Sequence, residues 1–171
     1  ICATIAFGMG IDRSDVDVLT VYDPFTVVAR ADFPAASMRA LIEQVKAAPG
    51  KFSYASAGLG SASQLAMEII KARAGLDVLH VPFQGAPQAV QALLRNDIQL
   101  YLGGIAVGQG HIEAGSIRAL AVSSDKRLPG LPAVATLSEN GISDFGASNW
   151  WALAAPKETP APVVDRLHKA V

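Results

Sequence analysis

The chain is poor in the residues that usually announce a chemistry. It has a single cysteine, Cys2, among 171 residues, so neither a disulfide framework nor a thiolate metal cluster can form within it. Charged residues make up only 17% and net to −1, with Lys and Arg scattered and adjacent only at Lys126-Arg127. No basic stripe exists to neutralise a run of phosphates, which argues against nucleic acid as a partner. Long apolar runs are missing too. The uncharged stretch Ile98 to Ile112 is broken by Gly and Gln and falls short of the roughly 20 residues that span a bilayer. The chain opens at Ile1 with no charged-then-apolar leader and stops within a helix-like run, so it reads as a fragment of a longer protein.

What is abundant is apolar residues, 51% of the total and rich in alanine, the composition of helices packed closely on a sheet. From residue 25 onward, short apolar runs alternate with segments of helical period. Phe25 to Arg30 reads as a strand. Ser37 then stands as an N-cap before Met38, Leu41, Ile42 and Val45, the spacing of an amphipathic helix that Pro49-Gly50 ends. Phe52 to Ala55 reads as a strand, Ser61 to Ala74 as a helix stopped at Gly75, and Val78 to Val81 as a strand. Pro87 opens a helix carrying Val90, Leu93 and Leu94, and strands follow at Ile98 to Leu102 and Ile117 to Val122. Strands separated by helices predict an α/β fold with a mainly parallel sheet flanked by helices. Such sheets bind ligands at the carboxyl ends of their strands, which here means the loops near 56–61, 82–86 and 103–106. From Ser123 to Ser148, Pro and Gly crowd into a connecting segment. Asn149 to Ala155 then reads as a strand and Pro162 to Val171 as a helix.

The loop Ser56-Ala57-Gly58-Leu59-Gly60-Ser61-Ala62-Ser63 carries the most information. Its two glycines permit left-handed turns and close backbone approach. Its serines add hydroxyls, and the following helix offers unpaired amides and a partial positive charge. Together these suit a carboxylate; an ordinary glycine-rich turn with a serine cap is the plainer alternative. The loop lacks the Gly-Lys-Ser/Thr ending of a phosphate loop, and Ser63 stands where a dinucleotide fingerprint needs its third glycine. His80, His111 and His168 are far apart, carboxylates do not cluster, and no Gly-x-Ser-x-Gly elbow occurs. No catalytic residue, metal or cofactor is therefore expected. Trp150 and Trp151 are adjacent, so on a strand one faces inward and the other outward; one of them could line a ligand cleft or simply fill core.

Several blocks in order resemble one family. They are Phe33-Pro34-Ala35-Ala36-Ser37, Ala48 to Tyr54, Ser56 to Ser61, His80-Val81-Pro82-Phe83-Gln84-Gly85, Gly115 to Val122 and Ala155 to Pro160. From about 25 to 171 the chain resembles the Bug, or TctC-like, substrate-binding proteins of tripartite tricarboxylate transporters. The resemblance implies a truncated, periplasmic-binding-protein-like (type II flytrap) lobe and a periplasmic location. It further implies a small carboxylate solute and membrane transporter subunits as partners, and no enzymatic activity. It places Ala57, Gly58, Gly60, Ser61, Ser63, Phe83, Gln84, Gly85, Gly104 and Trp150 at the ligand. Two departures stand out. Phe83-Gln84-Gly85 replaces the family's usual Tyr-Lys-Gly and loses its cation, and Gly103-Gly104 replaces a frequent Asp-Asn pair.

The implied organisation is an atypical segment at 1–24, the second ligand-binding lobe at 25–125, a connector at 126–148 and the start of a return into the first lobe at 149–171. Residues 3–23 separately resemble a motif of RecQ-type DNA helicases, in Ala3 to Asp12, Asp15-Val16 and Tyr22-Asp23. The phosphate loop and acidic motif of such enzymes are absent from this sequence. A remnant of a nucleic-acid motor, or an interaction domain without a ligand, are the alternative readings.

Overall fold

A computed structural model describes the backbone of residues 16–147, 150–156 and 158–170. Side chains are described at 23–147, 155, 156, 158–167, 169 and 170. The described residues fall into two compact units, one within 23–147 and the other made of 16–22 with 150–156 and 158–170.

The larger unit is built on a five-stranded sheet. Its strands are β2 (Phe25–Arg30), β3 (Ser53–Ser56), β4 (Leu79–Pro82), β5 (Leu100–Gly104) and β6 (Ile117–Val122), in the order β4-β3-β5-β2-β6. β3 runs parallel to both β4 and β5, while β2 is antiparallel to β5 and β6. Four strands thus share one direction, and the expected mainly parallel α/β sheet is what forms. The reversed strand is β2, and it is buried on both faces, from Phe25 through Ala29.

Alternation along the strands divides the core in two. Phe25, Val27, Ala29, Leu100 and Leu102 face α1 (Met38–Ala47) and α2 (Ala62–Ala74), through Met38, Leu41, Val45, Ala66, Met67 and Ile70. Val28, Ala55, Tyr101, Ile117 and Ala119 face the other way, onto Ala89, Val90, Ala92 and Leu93 of α3 (Ala86–Leu94). Val107 and Ile112 of α4 (Ile105–Glu113) pack against the same side.

Helix ends follow local chemistry. Ser37 Oγ accepts from Ala40 N and starts α1; Ser61 Oγ accepts from Gln64 N and starts α2. Gly75, at φ 64°, ends α2 in the left-handed conformation that glycine adopts without strain. Helix α4 is a departure from the sequence expectation, which left 105–113 without an element. Gly108 and Gly110 weaken its helical signal, and its N-cap, Gly104, has no side chain. A distant residue supplies the cap instead: Asp23 Oδ1 accepts from Ile105 N at 3.0 Å.

In the smaller unit, β1 (Val16–Tyr22) pairs antiparallel with β7 (Trp150–Pro156), and α5 (Ala161–Ala170) follows. Residues 3–15 of the helicase-like stretch, Asn149, Val171 and the side chains of Trp150 and His168 lie outside what is described.

Candidate anion-binding edge

Because β4, β3 and β5 are parallel neighbours, the loops after them emerge at one edge of the sheet. Three helices, α2, α3 and α4, begin there. Their N-termini bring partial positive charge and unpaired amides to that edge.

The loop after β3 is folded largely by its own polar groups. Gly58 N donates to Ser56 Oγ at 3.2 Å, Ala57 N to Ser63 Oγ at 3.0 Å, and Gly60 N to Gln64 Oε1 at 2.6 Å. Ser61 N donates back to Gly58 O at 3.3 Å. The amides of Ala57, Gly58 and Gly60, residues that the family resemblance placed at the ligand, are thus engaged within the loop and hold its shape. Those left without a partner among the described residues are Leu59 N and the first-turn amides of Ala62 and Ser63. Beside them, Ser61 Oγ and Ser63 Oγ stand 3.0 Å apart. Each already accepts one backbone amide, and one shared bond uses only one of their two protons. The second proton is free to meet an acceptor.

The next loop closes against this one. Phe83 N donates to Ser56 O at 3.1 Å, and a Cβ on Gly58 would lie 3.3 Å from Phe83 O. With φ at 136°, Gly58 is therefore held to glycine by conformation and by space. Phe83 is half-buried against the α3 face of the sheet, while Gln84 is exposed. Gly85, at φ 141°, is the N-cap of α3 and carries no side-chain cap. At the third loop, Gly104 also lacks a capping side chain, but Asp23 already sets a carboxylate on the first amide of α4.

Gly103 has a steric cause. A Cβ there would lie 2.0 Å from the Tyr101 hydroxyl oxygen and 2.3 Å from its Cζ. The ring of Tyr101 occupies the space a side chain would need, and burial with nearby Asp23 pushes the phenol up to about 12.

Behind the first loop lies a polar group the sequence did not connect to it. His80 Nε2 is 2.6 Å from Ser56 Oγ, and the imidazole stacks on Tyr54 with ring centroids 4.8 Å apart. Tyr54 donates to Glu68 Oε1 at 2.7 Å, and Lys71 donates to the same oxygen at 2.8 Å. Burial raises the Tyr54 phenol and so does its bond to Glu68. Burial also pushes Glu68 up, but the bonds from Lys71 and Tyr54 outweigh it and leave the carboxyl below its ordinary range. The available signal was register: the observed parallel pairing puts Tyr54 opposite His80, a two-residue match that spacing alone does not reveal.

A mainly parallel sheet that gathers three helix starts at one edge has the architecture common to small-ligand binding lobes. Comparisons with known proteins agree. The family model described as "Tripartite tricarboxylate transporter family receptor" matches residues 10–171, and the chain belongs to that family. A UPF0065 protein of Bordetella pertussis is 36% identical over 86% of this chain and 46% of its own length. The periplasmic binding protein BugD superposes with a TM-score of 0.76 at 37% identity, over 90% of this chain and 51% of that one. MatC from Rhodopseudomonas palustris, solved with bound malate, gives 0.74 at 28% identity, over 92% and 53%. The chain spans about half the length of the curated relatives it matches. The family match begins at residue 10, so residues 10–24, set aside above as atypical, fall inside it. The helicase likeness of residues 3–23 finds no support in these comparisons.

Proposed function

We propose that this chain supplies one ligand-binding lobe of a non-catalytic, extracytoplasmic receptor that captures a small carboxylate solute. The observation that carries the reading is the start of α2. The free amides of Leu59, Ala62 and Ser63 lie beside a serine pair with one uncommitted proton. Ala57, Gly58 and Gly60 act through loop shape, Ser61 and Ser63 through hydroxyl and amide, and Gly85 through the start of α3. Phe83 and Gln84 supply an apolar wall and a neutral polar tip. Gly104 offers backbone only, and an anion there meets Asp23. The periplasm and membrane transporter subunits follow as location and partners from the family. The division into a lobe at 25–125, a connector at 126–148 and a return from 149 is part of the same proposal, with residues 10–24 now joined to the family's chain.

Titration calorimetry with malate, succinate, adipate and citrate tests this. Heat from a dicarboxylate that vanishes in Ser61→Ala/Ser63→Ala supports the reading. Heat from a purine nucleotide and none from any carboxylate refutes it.

A further inference from the structure

We infer that His80 is a positioning residue for the Gly58 loop: through the Ser56 hydroxyl it adds or withdraws a hydrogen bond on the Gly58–Leu59 peptide, and so links anion capture to a proton. The inference rests on the proposed carboxylate reading for its consequence, though not for its geometry.

Ser56 is fully buried, and its hydroxyl has two places to send one proton. His80 Nε2 lies at 2.6 Å and Gly58 O at 3.0 Å, while Gly58 N donates into the same oxygen. We assign the 2.6 Å contact as Ser56 Oγ donating to Nε2, which leaves the neutral imidazole's own proton on Nδ1. Once His80 takes up a second proton, Nε2 becomes a donor. Ser56 Oγ must then receive it and turn its own proton to Gly58 O.

That carbonyl belongs to the peptide whose N–H is Leu59 N. The peptide is planar and trans, so its C=O and N–H point in opposite directions. A bond from Ser56 joins the one this carbonyl already accepts from Ser61 N, and further polarises the peptide and its Leu59 amide. Protonation of His80 thus improves a donor at the anion-binding edge and adds positive charge behind it.

The groups facing His80 are Tyr54 and Ser56 of β3 and Glu68 and Lys71 of α2. Glu68 and Lys71 are paired with each other, so their opposing effects on the imidazole largely offset. Burial is the larger influence and holds His80 below its ordinary 6.5. Neutral pH therefore finds the loop in its accepting arrangement.

The test is a pH titration by NMR of the ligand-free chain, following His80 ring nitrogens and the Gly58 and Leu59 amides. The expected result is the Nδ1–H tautomer at high pH, with both amides shifting at the His80 midpoint. In Ser56→Ala, His80 still titrates and the amides no longer follow. An Nε2–H tautomer, or amides that ignore His80, overturns the inference. A second arm measures malate binding between about pH 6 and 8, where its carboxylates stay ionised. Affinity should rise toward the acidic end, as His80 begins to protonate, and His80→Gln should abolish the rise. If no dicarboxylate binds at any pH, the functional reading fails, while the NMR titration still decides the coupling.

Discussion

Replacing Gly103 with alanine should destabilise the larger unit through one identifiable collision. The added Cβ would sit 2.0 Å from the Tyr101 hydroxyl oxygen, 2.3 Å from Cζ and 2.6 Å from Cε1. Moving the hydroxyl alone relieves nothing, because two ring carbons are also too close. The ring as a whole must swing, yet Tyr101 is only 3% exposed and packed among Val28, Val90 and Leu93. Forcing extra volume into such a site costs about 1–3 kcal/mol, occasionally more. At about 4 °C per kcal/mol for a unit of this size, the melting temperature should fall by about 4–12 °C. Tyr101→Val, which removes every atom in the way, should itself cost about 3 kcal/mol through the cavity it leaves. The informative variant is the double one. On the Tyr101→Val background Gly103→Ala should cost close to nothing, giving a coupling of about 1–3 kcal/mol. Urea unfolding followed by circular dichroism measures all four proteins. An equal penalty for Gly103→Ala on both backgrounds would refute the reasoning.

Gly110 lies within α4 with no neighbour within 4 Å of a built Cβ; Gly110→Ala should stabilise by about 0.5–1 kcal/mol, seen as a higher urea midpoint. Thr26 Oγ1 is buried with no hydrogen-bond partner among the described residues; the nearly isosteric Thr26→Val should stabilise by about 1 kcal/mol, and a destabilised variant would reveal a partner for that hydroxyl. His80 is held below its ordinary 6.5 chiefly by burial, so the folded protein binds less proton there than the unfolded one. Its contribution is present above pH 6.5 and is lost as pH falls through the lowered folded value. Melting temperature between pH 7.5 and 5, about this window, should therefore decline less steeply in His80→Gln.

The elements legible in the sequence were those whose ends and faces are decided locally. β2 and β6 run over the residues their apolar patterns indicated, and Ser37 and Ser61 cap helices where a serine precedes a helical stripe. Helix α4 was not legible because its glycines hide the period and its cap comes from Asp23, 82 positions away. The strand expected from Ile98 begins at Leu100, after a turn in which Asn96 takes φ 65°. At the candidate edge, composition located the loop but not its wiring. That Ala57, Gly58 and Gly60 spend their amides internally depends on which way each peptide faces, and the Tyr54–His80–Ser56 contact depends on parallel register. The reason for glycine at 103 lies in a ring two residues away. None of these is encoded by spacing.

If the start of α2 receives a carboxylate, amide chemical shifts followed against increasing malate should report it at the site itself. Leu59, Ala62 and Ser63 should shift together and saturably, with smaller changes around Gly85 and none in α1. Shifts confined to other parts of the sheet, with those three amides unmoved while malate binds, would contradict it.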